Sequence, residues 1–308
     1  MGLLSPVEEM EHLKLAMEVA GMPTTELVLP AQQHVRVHTL RLHYLDWGTV
    51  GKVPIVFLHG GGINAHTWDL LCVSLRRDYH CLALDQRGHG ESDWSAEMDY
   101  AFETHQRDIV AFVDLLRLDS FVLVGMSLGG INALLYAAEH SARLRGLVLV
   151  DVGPDVRAEG GRRIADFVQQ TAEADSLDAL VAQALAFNPS RDARLLRRSL
   201  RHNFRQRDDG KWVRKNDTRQ LQSGGMRERV AQIKNYWSLV PQIACPTLVV
   251  RGARSDVFHD EDAEKLARTL PDGRWTRVEN AGHSVQGDNP RGLLDALLEF
   301  FDEIDLQK

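Results

Sequence analysis

From Val53 onward the chain repeats one pattern: a short unbroken apolar run ending in glycine or aspartate, then a stretch with helical spacing. The runs are "VPIVFLHG", "HCLALD", "FVLVG", "LRGLVLVD" and "CPTLVVRG". Between them, Phe102–Leu116 and Leu128–Glu139 carry apolar residues at three- and four-residue steps, which predicts helices. Continuous apolar strands alternating with helices predict a parallel sheet covered on both faces. Ahead of them, "VRVHTLRLHYLDW" alternates apolar and polar positions and predicts an antiparallel edge pair. Residues 5–20 place Val7, Met10, Leu13, Met17 and Ala20 on one side of a short helical arm, suited to cover the core or a partner subunit, so a homodimer stays open. The strand rhythm stops between Asp155 and Leu239. That arginine-rich segment, including "RDARLLRRSLRHNFRQRDDGKWVRKNDTR", is too long for a structureless loop and reads as an inserted helical unit.

Composition narrows the class. With 308 residues, 44% of them hydrophobic, the chain can bury one large core and carry an insertion. A net charge of −7 argues against an overall nucleic-acid-binding surface. Cys72, Cys81 and Cys245 lie apart in apolar runs and form neither a disulfide framework nor a zinc pattern, as expected of buried thiols in a reducing compartment. The opening "MGLLSPVEEMEHLKLAMEVAG" has no basic region or cleavage signature, Pro6 disfavours myristoylation, and no apolar run is long enough to span a bilayer. A cytoplasmic protein without membrane or nucleic-acid partners is expected, and no histidine, cysteine and carboxylate grouping has metal-ligand spacing.

The polar residues of interest sit just past the apolar runs, where open α/β sheets place their sites. Ser127 lies in "GMSLG", between a strand and a helix, and only small neighbours let such a sharp turn close. A serine hydroxyl needs a base, and His283 in "RWTRVENAGHSVQGDNP" occupies a glycine-flanked loop after the last alternating run. The imidazole needs an acid to fix its tautomer. Asp256, in "CPTLVVRGARSDVF", is preferred on its motif context; Asp151, ending "LRGLVLVD", is the rival, with capping of the next turn as its ordinary role.

Taken together, "LHGGGINAHTW", "LDQRGHGESD", "VGMSLGG", "VVRGARSDVF" and "NAGHSVQGDNP" resemble the α/β-hydrolase superfamily, within it the capped serine esterases and carbon–carbon bond hydrolases. The resemblance implies a doubly wound, mostly parallel eight-stranded sheet with an inserted helical cap. Residues 1–34 would be an N-terminal arm, 35–154 and 240–308 the core, and 155–239 the cap. It further implies a Ser127–Asp256–His283 triad and an oxyanion hole made by the N–H groups of Leu128 and Gly61, with Gly62 the alternative donor. The stretch around Asp85, Arg87 and His89 would be a structural turn in which Asp85 and Arg87 pair locally.

The implied activity is hydrolysis of a small to medium carboxylic ester through an acyl-enzyme, without cofactor or metal. Hydrolysis of a carbon–carbon bond in a ring-cleavage diketone acid is the alternative, and a ligand-binding, receptor-like protein with vestigial catalysis is the alternative of another class. Arg191, Arg194, Arg198, Arg201 and Arg205 form one helix face; it reads as solvated, but one of these arginines, or His202 or Asn203 beside them, pointing inward would hold a substrate carboxylate and select half-esters, with Arg198 and His202 as the named candidates. Gly62 and Trp68 complete the set of expected substrate contacts.

Overall fold

The computed structural model describes residues 5–23, 26–221 and 231–306. Eight strands form the central sheet: β1 (Ala31–Val37), β2 (Leu40–Asp46), β3 (Val53–Leu58), β4 (Tyr79–Leu84), β5 (Phe121–Met126), β6 (Leu144–Val150), β10 (Thr247–Gly252) and β11 (Gly273–Val278), in the order β1-β2-β4-β3-β5-β6-β10-β11. Only β1 with β2 and β2 with β4 run antiparallel. β1 begins at Ala31, so the expected boundary after residue 34 falls inside a strand.

Strand alternation feeds two cores. On β3, Val56 and Leu58 point into one cluster while Ile55 and Phe57 point into the other; on β6, Leu147 and Leu149 oppose Val148 and Val150. Both faces of each strand are therefore apolar, which is why these runs lack polar breaks. Helices α3 (Phe102–Leu115) and α4 (Leu128–His140), with Asp260–Thr269, cover the first face. α1 (Pro6–Val19), α2 (Asp69–Leu75) and Pro290–Glu303 cover the second. Full burial of each such aliphatic side chain stabilises by about 1.5–3 kcal/mol relative to exposure. α1 starts with a capping box between Ser5 and Glu8 and buries Leu13, Ala16 and Met17.

Between β6 and β10 the chain leaves the sheet. It forms α5 (Ala158–Gln170), α6 (Leu177–Phe187), α7 (Ala193–Asn203) and a three-stranded sheet of β7 (Glu173–Ala174), β9 (Trp212–Arg214) and β8 (Phe204–Gln206). The insertion is therefore not wholly helical as expected. "RQRDDGKWVR" makes a hairpin in which Gly210 takes a positive φ of 87°, and its aspartate-glycine pair is a turn signal that the surrounding arginines obscured. The insertion has its own small core, including Leu180, Leu196, Leu200 and Phe204. Among the described residues no helix is long and apolar enough to cross a membrane.

Candidate active site

Five strand ends converge on one rim, and a cavity of about 510 Å³ lies between it and the insertion. Ser127 follows β5 directly and takes φ 51°, ψ −116°, a strained conformation for a residue with a side chain. The neighbouring glycines make that turn possible: a Cβ on Gly129 would fall 2.4 Å from the Leu58 carbonyl oxygen, and one on Gly125 would fall 2.3 Å from that of Gly129. Ser127 lines the cavity, at the N-terminus of α4. Leu128, as the first residue of that helix, has an N–H with no carbonyl to bond within it. The turn after β3 lies beside Ser127, since a Cβ on Gly60 would fall 3.4 Å from the Ser127 Cβ; its next residue, Gly61, lines the cavity, and an added Cβ there would meet nothing within 4 Å. The turn is held from behind by His59. Its Nε2 accepts from the Gln86 N–H at 3.0 Å, so its Nδ1 carries the proton donated to the Gly60 carbonyl at 2.8 Å. Burial pushes that imidazole below its usual 6.5 and keeps it neutral.

His283 also lines the cavity, and its partner is Asp151 rather than Asp256. His283 Nδ1 lies 2.8 Å from Asp151 Oδ2. Asp151 is fully buried, sits at φ 54° at the end of β6, and accepts two further bonds, from Gly252 N–H at 2.8 Å and Ser255 Oγ at 2.5 Å. Asp256 instead points to the rim, about half-exposed, with its carboxylate 3.3 Å from Arg163 Nη2. The expectation for Asp256 is thereby corrected. The turn after β10 carries Asp256 outward, and what its "RSD" motif delivers to the imidazole's acid is the Ser255 hydroxyl. Chain order stays serine, aspartate, histidine.

The expected substrate contacts fare unevenly. Gly62 lines the cavity, but Trp68 is buried against Phe57 with ring centroids 5.2 Å apart; Phe102, Phe167 and Phe187 supply the cavity's aromatic surface. Arg198 turns away from the cavity to Asp69 Oδ2 at 2.6 Å and Glu9 Oε1 at 2.7 Å. His202 stacks on His66 with centroids 3.7 Å apart and reaches Glu9 Oε1 at 3.1 Å. These two residues tie the insertion to α1 and α2, so neither is placed to hold substrate; of that helix's polar residues Ser199 and Asn203 line the cavity, as does Arg191 in the turn before it. His66, Asp69 and His202 bring ligand-type atoms within 4.8 Å of one another, a grouping invisible in the sequence, and the Arg198 guanidinium already supplies the positive charge there. Asp85 and Arg87 do not pair with each other, contrary to expectation. Asp85 takes His43 at 2.8 Å, and Arg87 grips Asp108 with two bonds of 2.6 and 2.7 Å.

Two other arginines matter more: Arg191, from the arginine run, and Arg214, which no pattern marked as a pocket residue. Arg191 Nε lies 3.2 Å from Asp288 Oδ1, while Asp288 Oδ2 accepts from the Gly282 N–H at 2.9 Å, next to His283. Arg214 ends β9, lines the cavity, and donates to the carbonyl oxygens of Gly62 and Thr171, each at 3.1 Å. Nothing in the spacing of "WVRKND" distinguishes this arginine from its neighbours.

Buried imidazoles make stability pH-dependent. Burial pushes His202 well below its usual 6.5, with help from His66 and Arg198. His202 and His59 thus stay neutral in the fold where the unfolded chain takes up protons. Their contribution is present above pH 6.5 and is lost as pH falls below it, by up to about 1.4 kcal/mol per pH unit for each group. Calorimetric Tm should fall between pH 7 and 5.5, with a shallower slope in His202→Gln. An unchanged slope in that variant would contradict the assignment.

The family model of the alpha/beta hydrolase fold matches residues 53–290, and the chain belongs to that family. Esterase Rv0045c of Mycobacterium tuberculosis is 34% identical over 275 residues, covering 86% of this chain and 88% of that protein. A solved structure of that esterase superposes with a TM-score of 0.76 at 31% identity, covering 98% of this chain and 100% of the other. N-formylmaleamate deformylase of Pseudomonas putida is 27% identical over 276 residues, covering 87% and 96% of the two chains.

Proposed function

We propose that the protein is a serine hydrolase that cleaves a carboxylic ester through an acyl-enzyme. The observation that carries this is a strained serine facing the same cavity as a histidine whose other nitrogen meets a fully buried aspartate. His283 Nε2 takes the Ser127 proton as the hydroxyl oxygen attacks the ester carbonyl carbon. The N–H groups of Leu128 and Gly61 receive the oxyanion, and Asp151 holds the imidazolium through Nδ1. The C–O bond then breaks, the alcohol leaves with the proton from His283, and water deprotonated by the same nitrogen releases the acid. The insertion, residues 155–239 in this reading, acts as the cap over that chemistry. The 34%-identical esterase supports the same class of reaction.

A fluorophosphonate probe with 4-nitrophenyl esters tests the proposal. Stoichiometric labelling of Ser127 within minutes, with matching loss of ester turnover, is expected. A chain that binds small esters yet neither labels nor turns them over would be a binding protein, and the enzymatic reading would fail.

A further inference from the structure

Five arginines line the cavity: Arg157, Arg163, Arg191, Arg214 and Arg254. Three are neutralised by carboxylates: Arg157 by Asp262 at 3.0 Å, Arg163 by Asp256 at 3.3 Å and Arg191 by Asp288 at 3.2 Å. Arg254 reaches the Asn280 amide oxygen at 2.5 Å. Arg214 is different. It is buried, and among the described residues it makes no ion pair; its acceptors are the neutral carbonyls of Gly62 and Thr171 and the Thr171 hydroxyl.

A guanidinium has five N–H donors, and these three contacts leave two of them for a ligand. The plane is fixed against Phe204, 4.7 Å from its ring centroid, and by Phe167 at 5.9 Å. Arg254, the other arginine without an ion pair, is exposed, so Arg214 is the buried, oriented guanidinium that the cavity leaves without a counter-charge among the described residues, within otherwise largely apolar walls. A lone buried charge is unfavourable until an anion meets it, and a carboxylate matches a guanidinium edge with two parallel bonds.

We propose that Arg214 anchors a free carboxylate on the substrate, so that the ester hydrolysed is a half-ester of a dicarboxylic acid; this rests on the esterase reading above. The bond to the Gly62 oxygen sets the guanidinium on the turn that carries Gly61, the proposed oxyanion donor. The carboxylate therefore belongs to the same molecule as the scissile ester, a short chain away. The desolvation of the guanidinium, which pushes its pKa down to about 10, is relieved when that carboxylate binds.

The test compares kcat/KM for mono-4-nitrophenyl adipate with that for its neutral methyl diester, in wild type, Arg214→Lys and Arg214→Met. Wild type should prefer the monoester by tenfold or more, most of it through KM. Arg214→Met should lower the monoester-to-diester ratio at least tenfold, with Arg214→Lys between. A wild-type ratio near one, or a ratio unmoved by Arg214→Met, overturns the proposal. Because Arg214 also holds the Gly62 turn, a second measurement is independent of catalysis: calorimetric binding of adipate and of adipamide to Ser127→Ala. Tighter binding of the dianion, abolished by adding Arg214→Met, supports the anchor. Equal binding of the two overturns it. If neither ester is hydrolysed, the esterase reading fails, and adipate binding still decides the role of Arg214.

Discussion

Replacing Asp151 by asparagine is expected to lower turnover of a 4-nitrophenyl ester by about four orders of magnitude, a loss of the size known when a triad aspartate is amidated. The reason is the direction of one hydrogen bond. Asp151 Oδ2 accepts from His283 Nδ1 and from Ser255 Oγ. An asparagine can still accept from Gly252 through its carbonyl, but its NH2 would face the imidazole. That donor favours the tautomer with the proton on Nε2, which cannot take a proton from Ser127. Asp256→Asn, at the half-exposed rim, should change turnover less than threefold. The pair of variants, each checked for an unchanged Tm, separates the two aspartates. A large loss in Asp256→Asn with activity retained in Asp151→Asn would reverse the assignment.

The larger effect belongs to Ser127→Ala. Removing the nucleophile of such a unit leaves only binding and oxyanion stabilisation, and kcat should fall by about 10⁶. Fluorophosphonate labelling, followed as a mass increase of the intact protein, should vanish. Folding should persist, because the strained turn is held by Ser127 N–H to Val150 O and by the glycine contacts behind it. Turnover near wild type in this variant would remove the acyl-enzyme from consideration.

Much of this site could be read from the chain before any coordinates. The apolar runs around Ile55, Val122 and Val148 lack polar breaks because both sheet faces are buried, so strand identity and direction were legible. Ser127 and His283 were legible because each stands among glycines just past an apolar run, where the close approach of backbones at the sheet rim leaves no room for larger side chains. The acid was not. Asp151 and Asp256 follow neighbouring parallel strands, and a difference of a few residues in turn length, not residue type, decides which carboxylate meets the imidazole. The contacts of Arg198 and His202 are hidden in the sequence for a related reason. Helical spacing defines a face, but which face looks into the cavity depends on how the insertion docks, and here Glu9 and Asp69 draw them the other way. Arg214 lies at the end of a three-residue strand, too short to show a period at all.

One contact couples the two halves of the molecule. Arg191 of the insertion faces Asp288, and Asp288 in turn holds the loop that carries the imidazole. Without Arg191 the largely enclosed Asp288 carboxylate would keep its bond to Gly282 N–H but lose its counter-charge. The loop beneath the imidazole thus answers to a side chain of the insertion, and a change made far from the sheet is felt one residue from His283.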